Sequence, residues 1–304
     1  MTAAVEPAVE PVEPVVRSGA GPDGTARYRA GGTGTVAAGG VRHELRAVGV
    51  LWRRELLRLA RNRIQLALLL INPLLFLVVL GTGLDTMLAG TSGGDYRTYL
   101  FPGVLLMAVQ LPALNAGMSI VRDREAGFLR GMLVAPVGRG TILVGACLGG
   151  ATAATAQGGL LLAFAGLAGL PYHPAVLALL LAELALIGFT MTVLSAFAAV
   201  LVRRMETFQM MLSLGMMPLF FLSGALFTVG GLPGWLTTLT LVNPLSYAVD
   251  ALRRSAALAL PPERAPAALE VAGWTPPLGV ELAVMLLVSL LALVAAARRF
   301  ARTG

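Results

Sequence analysis

The sequence predicts an all-α membrane protein with six transmembrane helices. Of its 304 residues, 57% are hydrophobic and only 13% are charged, and the mean hydropathy is +0.79. Soluble domains carry about 25% charged residues, so this chain has too little charge to cover a water-facing surface. Apolar stretches long enough to cross a hydrocarbon core of about 30 Å occur six times. Their approximate bounds are 64–84, 99–121, 141–169, 175–202, 209–230 and 278–297.

The chain before the first span divides into two parts. Residues 1–40 combine Ala, Val, Glu, Pro and Gly without a periodic pattern, which predicts a disordered tail. They lack a basic stretch followed by an apolar run, so a cleavable signal peptide is not expected. Residues 41–304 are predicted to form the transmembrane domain.

A basic amphipathic helix is predicted over residues 42–63, which contain seven arginines. The apolar positions that recur three or four residues apart are Leu45, Val48, Trp52, Leu56 and Leu59. They share one helix face, while most of the arginines point elsewhere. This pattern is typical of a helix lying in the membrane surface. A soluble helix docked on a partner is the alternative.

The distribution of arginine predicts the orientation in the membrane. If the amino terminus is inside, the inside segments hold sixteen arginines and the outside segments hold four. Basic residues concentrate on the cytoplasmic side of membrane proteins. We therefore expect a multi-pass membrane protein with both termini cytoplasmic. The arginines on the inside, next to membrane lipids, account for the net charge of +7, so no nucleic-acid partner is needed to explain it.

Several kinds of chemistry are excluded by residue type. All 23 basic residues are arginine, and a Walker A loop, an ordinary kinase and a Schiff-base enzyme each need a lysine. Cys147 is the only cysteine and the two histidines lie far apart, so neither a disulfide nor a Cys-based zinc site is expected. We expect no catalytic residue, no metal and no cofactor on this chain, which is not an enzyme by itself.

Two runs of sequence carry a family resemblance. The first is 122–136, in which Phe128, Leu129, Met132 and Leu133 form one apolar face and Pro136 bounds the helix. It resembles the pattern E-x-G-x-[LF]-[KR]-x-[LM]-x-[AVS]-[ST]-P of ABC-2 type exporter permeases. The residues that fit that pattern are Glu125, Gly127, Leu129, Arg130 and Pro136. The second run, 222–253, resembles the fifth span and outer region of the same family. Daunorubicin-resistance-type permeases are the most similar subgroup.

The resemblance implies partners and roles. A separate ABC ATP-binding subunit, present twice, would carry the ATP and Mg, and a second permease copy or a paralogue would complete a dimer. The implied ATPase-coupling residues on the cytoplasmic coupling helix are Glu125, Gly127, Phe128, Leu129, Arg130, Met132, Leu133 and Pro136. The amphipathic helix becomes the connecting helix, with Arg46, Arg53, Arg54 and Arg58 on it. Re-entrant helices are expected outside, between spans five and six, with the outer-gate residues Asn243, Pro244, Tyr247, Asp250 and Arg253.

Polar side chains inside the predicted spans are candidates for the transport pathway. They are Asn72, Gln110, Asn115, Glu183, Gln209 and Ser213. Glu183 is the one carboxylate well inside a span, where a charge is costly and functional by default. A protonated or hydrogen-bonded structural glutamate is the alternative. The amide and hydroxyl groups can equally hold helices together through hydrogen bonds. Asp250 and Arg254 stand four residues apart and could pair.

The resemblance implies that the chain is the permease subunit of an ATP-driven ABC-2 exporter in a bacterial cell membrane. Its cargo would be a hydrophobic or amphipathic drug or natural product. An exporter of a lipid-linked saccharide or polymer is an alternative within the family. A proton-coupled secondary transporter is an alternative of another class, supported by Glu183 alone. An intramembrane enzyme would need a set of catalytic side chains that the sequence does not offer.

Overall fold

A computed structural model describes residues 41–61, 63–88, 96–126, 139–202, 204–226, 233–262 and 275–302. Within these ranges the chain forms nine α-helices and no strand, which confirms the predicted all-helical class. The helices are α1 Val41–Arg61, α2 Arg63–Leu88, α3 Tyr96–Glu125, α4 Arg139–Leu162, α5 Pro174–Leu201, α6 Met205–Phe221, α7 Gly234–Val242, α8 Pro244–Ala257 and α9 Leu278–Arg302. A 3₁₀-helix, Ala165–Ala168, follows α4.

Four of the described helices contain segments long and apolar enough to cross a membrane. These are Ile64–Met87, Tyr96–Glu125, Pro174–Leu201 and Leu278–Phe300, and they coincide with the first, second, fourth and sixth predicted spans. The third predicted span lies on α4, which is rich in Gly, Ala and Thr. The fifth lies on α6, which has only 17 residues.

Two predicted spans are longer than the helices that form there. The stretch 141–169 was expected to be one helix, but α4 ends at Leu162 and the chain turns through the 3₁₀-helix. The stretch 209–230 overlaps α6, which begins at Met205 and ends at Phe221. Gly224 lies in the turn that follows, with φ at 73°, a left-handed conformation that glycine adopts without a Cβ clash. Apolar composition continues past both ends, so hydropathy alone did not reveal them.

Helices α3 and α5 form the centre of the bundle. Helix α3 packs against α2, α4, α5, α6 and α8, and α5 also packs against α9. The side chains of Phe101 and Leu105 on α3, Leu184 and Ile187 on α5, and Val249 on α8 are fully buried in the main core. The last part of α3 has a second core with α5 and α6, where Val121 and Phe208 are fully buried.

Close approach in that second core depends on Gly117. A Cβ at this position would collide with Ser195 Oγ on α5 and would lie 2.9 Å from Phe208 Cζ on α6. Glycine at such contacts lets helix backbones approach each other, as is common between membrane helices. Ser195 Oγ also donates a hydrogen bond to the Leu114 carbonyl at 3.1 Å. The ends of α3 and α5 and the start of α6 are therefore packed as one unit.

The starts of α5 and α8 are both set by proline. Pro174 and Pro244 occupy the first turn, where the missing N–H costs no helical hydrogen bond. Asn243 precedes α8 and its Oδ1 accepts the Leu245 N–H at 3.1 Å, which caps the helix. Asn243 Nδ2 also donates to the Leu219 carbonyl of α6 at 2.7 Å. This asparagine thus fixes α8 against α6.

Candidate functional site

A cleft of about 240 Å³ opens between α1, α2, α3 and α4 and reaches Phe300 near the end of α9. Its apolar lining includes Leu66, Leu69, Pro112, Ile142 and Leu143. Its polar lining consists of Arg54, Glu55, Gln65, Asn115, Ser119, Arg122 and Asp123. Pockets for drug-sized molecules measure roughly 300–1,000 Å³, so the cleft has room for part of such a molecule. Its mixed lining suits an amphipathic one.

The predicted basic helix forms as α1 and lies against α4. Trp52 Nε1 donates a hydrogen bond to Thr152 Oγ1 at 2.9 Å, although the indole remains 42% exposed. Arg46, Arg53 and Arg54 are exposed, as expected for the polar face of the helix. Arg54 Nη2 lies 3.0 Å from Glu55 Oε1 at the edge of the cleft. Arg58 lies in α1, but its side chain is outside the described part of the structure.

The predicted coupling region is described only at its start. Helix α3 continues through Glu125, so residues 122–125 extend the second span instead of beginning a separate helix. The remaining predicted coupling residues lie outside the described ranges: Gly127, Phe128, Leu129, Arg130, Met132, Leu133 and Pro136. Their roles stay predictions.

Two consecutive charged residues at the end of α3 contact the connection between α5 and α6. Arg124 Nη1 donates to the Val202 carbonyl at 3.1 Å and to the Ala199 carbonyl at 3.4 Å. Glu125 Oε1 accepts the Met205 N–H at 2.8 Å. The cation therefore meets the carboxyl end of α5 and the anion meets the amino end of α6, which matches the sign of each helix dipole.

Glu183 is buried and lies against α8. Its side chain is 2% exposed, and its Oε1 accepts a hydrogen bond from the Ser255 hydroxyl. Within the described residues its Oε2 makes no hydrogen bond. A polar side chain of one span thus reaches a serine of a neighbouring helix, the kind of contact that joins helices in membrane proteins.

The other candidate pathway residues do not meet in one cavity. Gln110 is 8% exposed and its Nε2 lies 3.1 Å from Met216 Sδ on α6. Asn115 lines the cleft. Asn72 on α2, and Gln209 and Ser213 on α6, have exposed side chains on the outside of the chain.

Helix α8 carries three charged side chains, Asp250, Arg253 and Arg254, which make contacts inside the bundle. Arg254 Nε lies 2.8 Å from Asp250 Oδ2, which confirms the predicted pair, and 3.2 Å from Glu281 Oε1 of α9. Asp250 is 1% exposed and Glu281 is fully buried. Arg253 is 4% exposed, with its guanidinium 4.1 Å from the centre of the Tyr99 ring and its Nη2 2.9 Å from the Gly224 carbonyl. These contacts tie α8 to α3, α9 and the turn after α6.

The remaining predicted outer-gate residues have local contacts. Asn243 and Pro244 form the start of α8 described above, and the Tyr247 hydroxyl donates to the Leu241 carbonyl of α7 at 2.9 Å. Among described residues, no group of three or more His, Cys, Asp or Glu side chains is arranged to hold a metal ion.

Sequence reasoning missed Arg124, Ser255 and Glu281. Glu281 had a visible signal, because it is an acidic residue in the first turn of the last span, where a buried charge needs a partner. Arg124 lies within the run that resembles the family pattern, but that pattern assigns it no contact. Its carbonyl partners lie 75 and 78 residues further along the chain, so no local pattern could reveal them.

Comparison with known proteins identifies relatives over most of the chain. The sequence profile of the ABC-2 type transporter family matches residues 46–256. The transport permease ycf38 of Cyanophora paradoxa is 28% identical over 210 residues, which cover 67% of this chain and 72% of the relative. Nodulation protein J of Rhizobium meliloti (strain 1021) is 29% identical, covering 67% of this chain and 78% of the relative.

A third relative carries the name of a drug. The daunorubicin resistance ABC transporter permease protein DrrB1 of Streptomyces coeruleorubidus is 29% identical over 209 residues, covering 67% of this chain and 72% of the relative. Each of the three matches covers 67% of this chain, so the resemblance extends well beyond a short motif.

Proposed function

Because this chain belongs to the ABC-2 type transporter family, a family of membrane permeases, we propose that it is the permease subunit of an ATP-driven exporter. Its cargo is a hydrophobic or amphipathic compound, a drug or natural product, which leaves through the bacterial cytoplasmic membrane. The cleft carries this proposal: an apolar wall beside charged and amide groups fits a molecule with an apolar body and a polar end.

In this proposal α4 and α6 are the third and fifth of six spans. Helix α4 is long enough, with 24 residues, and α6 is held between other helices at Phe208 and Phe220. The arginine distribution supports an orientation with both termini in the cytoplasm. The cleft then lies near the cytoplasmic side, where Arg122 and Asp123 mark the inner end of α3 and Arg298 and Arg299 mark that of α9.

Energy for transport comes from two copies of a separate ABC ATP-binding subunit, which hold the ATP and Mg. The segment 123–136 and helix α1, with its exposed Arg46 and Arg53, are the coupling and connecting elements that this subunit contacts. The absence of lysine from the sequence supports a separate ATPase, because a Walker A loop needs that residue. Helices α7 and α8 are the outer re-entrant pair, with Asp250 and Arg253 as structural parts of the gate.

The pathway needs a second permease chain. Asn72, Gln209 and Ser213 are exposed on the outside of one chain, and hydrocarbon offers no hydrogen-bond partner to such groups. We place a second copy, or a paralogue, against α2 and α6, so that these polar groups line the passage between the two chains.

Two alternatives remain distinct from this proposal. A lipid-linked saccharide could use the same passage, and one relative, nodulation protein J, is not named for a drug. The daunorubicin resistance permease favours the drug-like cargo. A proton-coupled transporter needs no ATPase. Glu183 supports this alternative, but the hydrogen bond that Glu183 accepts from Ser255 fits a structural role equally well.

Co-purification tests the proposal. The tagged protein is extracted from its own membranes in mild detergent, and its partners are identified by mass spectrometry. We expect a P-loop ATPase in equimolar amount, and expect ATP-dependent uptake of daunorubicin into inside-out vesicles containing both proteins. Asn115→Leu should reduce that uptake, while Arg298→Ala is the control on the same end of the bundle. Uptake without any ATPase, driven by a proton gradient, would contradict the proposal.

A further inference from the structure

At the connection between α5 and α6, groups of both helix ends are bonded by the end of α3. Arg204 precedes α6 and its side chain makes no capping hydrogen bond to that helix. The first N–H groups of a helix and its last carbonyls need partners from outside the helix. Here one N–H and two carbonyls have partners on a different helix, because Glu125 accepts the Met205 N–H and Arg124 donates to the carbonyls of Ala199 and Val202.

The packing above these contacts leaves the end of α3 little freedom to slide past its neighbours. Gly117 lies directly against Ser195 and Phe208, and Val121 is fully buried beside them. Phe208 stands one turn after Met205 on α6. A displacement of the end of α3 must therefore move the start of α6 as well.

The two ends of this unit carry different roles in the proposed exporter. Glu125 is the last residue of α3, and the predicted coupling residues begin at Gly127. On α6, Gln209 and Ser213 stand on the exposed face assigned to the pathway. We propose that Arg124 and Glu125 are positioning residues that clasp the α5–α6 connection and transmit displacement of the coupling segment to the pathway helix α6. This inference rests on the proposed function.

The clasp gives Glu125 a role different from the one that the family pattern implies. If Glu125 contacted the ATPase directly, its removal would release that subunit. If it acts through Met205, its removal leaves the ATPase bound and uncouples hydrolysis from transport. The two roles therefore differ in which measurement changes.

The variants are Glu125→Ala, Arg124→Ala and the conservative Glu125→Gln, whose amide oxygen still accepts the Met205 N–H. Glu206→Ala is the matched control, since Glu206 is an exposed acid in the first turn of the same helix. Each is purified as the complete complex in lipid nanodiscs or vesicles. Bound ATPase, ATP hydrolysis and transport per ATP hydrolysed are measured together, with hydrogen–deuterium exchange of residues 204–212.

For Glu125→Ala we expect wild-type amounts of bound ATPase and faster exchange at the start of α6. Transport per ATP should fall roughly fivefold or more. The loss of one helix cap lowers the ratio of ordered to disordered helix ends by about that factor, and only the ordered end would transmit the displacement. Arg124→Ala should lower this ratio too, Glu125→Gln should restore most of it, and the control should match wild type. Unchanged transport per ATP, unchanged exchange, or loss of the ATPase in Glu125→Ala would each overturn the clasp.

The wild-type complex separates this inference from the function on which it rests. Wild-type protein that captures no ATPase and moves no cargo with ATP overturns both the exporter and the transmission. Hydrogen–deuterium exchange needs no partner, so it still decides whether Glu125 caps α6. A wild-type complex that transports, combined with insensitive variants, overturns the clasp alone.

Discussion

Helices α2 and α9 are equally exposed and both carry exposed apolar side chains, but α2 also exposes a side-chain amide, Asn72, within its apolar stretch. In each, 22% of the residues in the most apolar window are buried, against 67% for α3 and 50% for α5. The exposed face of α9 carries Leu287, Leu290 and Leu291, while its Ser289 is fully buried. Helix α2 exposes Asn72. Helix α6, which would line the proposed passage together with α2, exposes Gln209 and Ser213.

In the proposed membrane arrangement, an entirely apolar surface can face lipid, whereas exposed amides and hydroxyls need a polar neighbour. Hydrocarbon contacts leucine without cost but leaves an amide or hydroxyl without a hydrogen-bond partner. In the scaffold of α3 and α5 such groups are satisfied internally: Thr192 and Ser195 are buried and donate to backbone carbonyls. These two hydroxyls therefore need no partner from outside the chain, whereas Asn72, Gln209 and Ser213 are exposed and would find theirs on the proposed second permease chain.

The largest effect on the scaffold is expected from Arg254→Ala. This change leaves Asp250 and Glu281 buried without the guanidinium between them, and breaking a buried ion pair costs about 3–5 kcal/mol. The free energy of unfolding in detergent micelles should fall accordingly. Arg298→Ala, which removes an exposed arginine, should leave it nearly unchanged. Equal stability of the two variants would show that the α8–α9 contact does not support the scaffold.

A smaller loss is expected from Gly117→Ala, because the new Cβ collides with Ser195 and Phe208. Overpacking of this kind costs about 1–3 kcal/mol. Gly215→Ala on α6 is the matched control, since the new Cβ would have no atom within 4 Å apart from its chain neighbours and the nearby backbone of its own helix. Thermal unfolding of the two variants compares the closed and the open region directly. A loss of stability in Gly215→Ala as large as in Gly117→Ala would contradict the contrast between them.

The contact of α1 with α4 should contribute less again. Trp52→Phe removes the hydrogen bond to Thr152 and keeps an aromatic ring, so the loss should be about 0.5–1.5 kcal/mol or below. A double-mutant cycle with Thr152→Val isolates the interaction. Coupling energy indistinguishable from zero would mean that α1 is held against α4 by packing alone.

The smallest effect on stability and a large effect on transport are expected for the open face. Gln209→Leu removes an exposed amide, so the free energy of unfolding of one chain should change little. Transport should decrease, because the amide would line the passage. Leu290→Ala on α9 is the control that should leave transport unchanged. Normal transport by Gln209→Leu would remove α6 from the proposed pathway.

Helix positions followed from sequence because apolar length and arginine placement are local properties. The pairing of Asp250 with Arg254 was likewise visible as a spacing of four residues on one helix. The early end of α4 at Leu162 was not visible, because residues 163–170 are as apolar as the helix before them. Hydropathy measures preference for lipid and does not report where the backbone turns.

The candidate site was less predictable than the helices. Asn72, Gln110, Asn115, Glu183, Gln209 and Ser213 were grouped by polarity alone, and the structure distributes them over a buried contact, the cleft and the open face. Arg124 and Glu281 gain their meaning from helices distant in sequence. Which polar groups face each other is decided by packing, which one sequence does not contain.

Photo-cross-linking at position 209 tests the central claim most directly, namely that another permease chain covers the open face of α6. Gln209 is replaced by p-benzoylphenylalanine in the full protein, native membranes are irradiated, and the products are identified by mass spectrometry. Leu290 on α9 receives the same replacement as the control. The account predicts a cross-link from position 209 to a second permease chain and only lipid adducts from position 290. Lipid adducts alone at position 209, or a permease cross-link of equal yield at position 290, would contradict it.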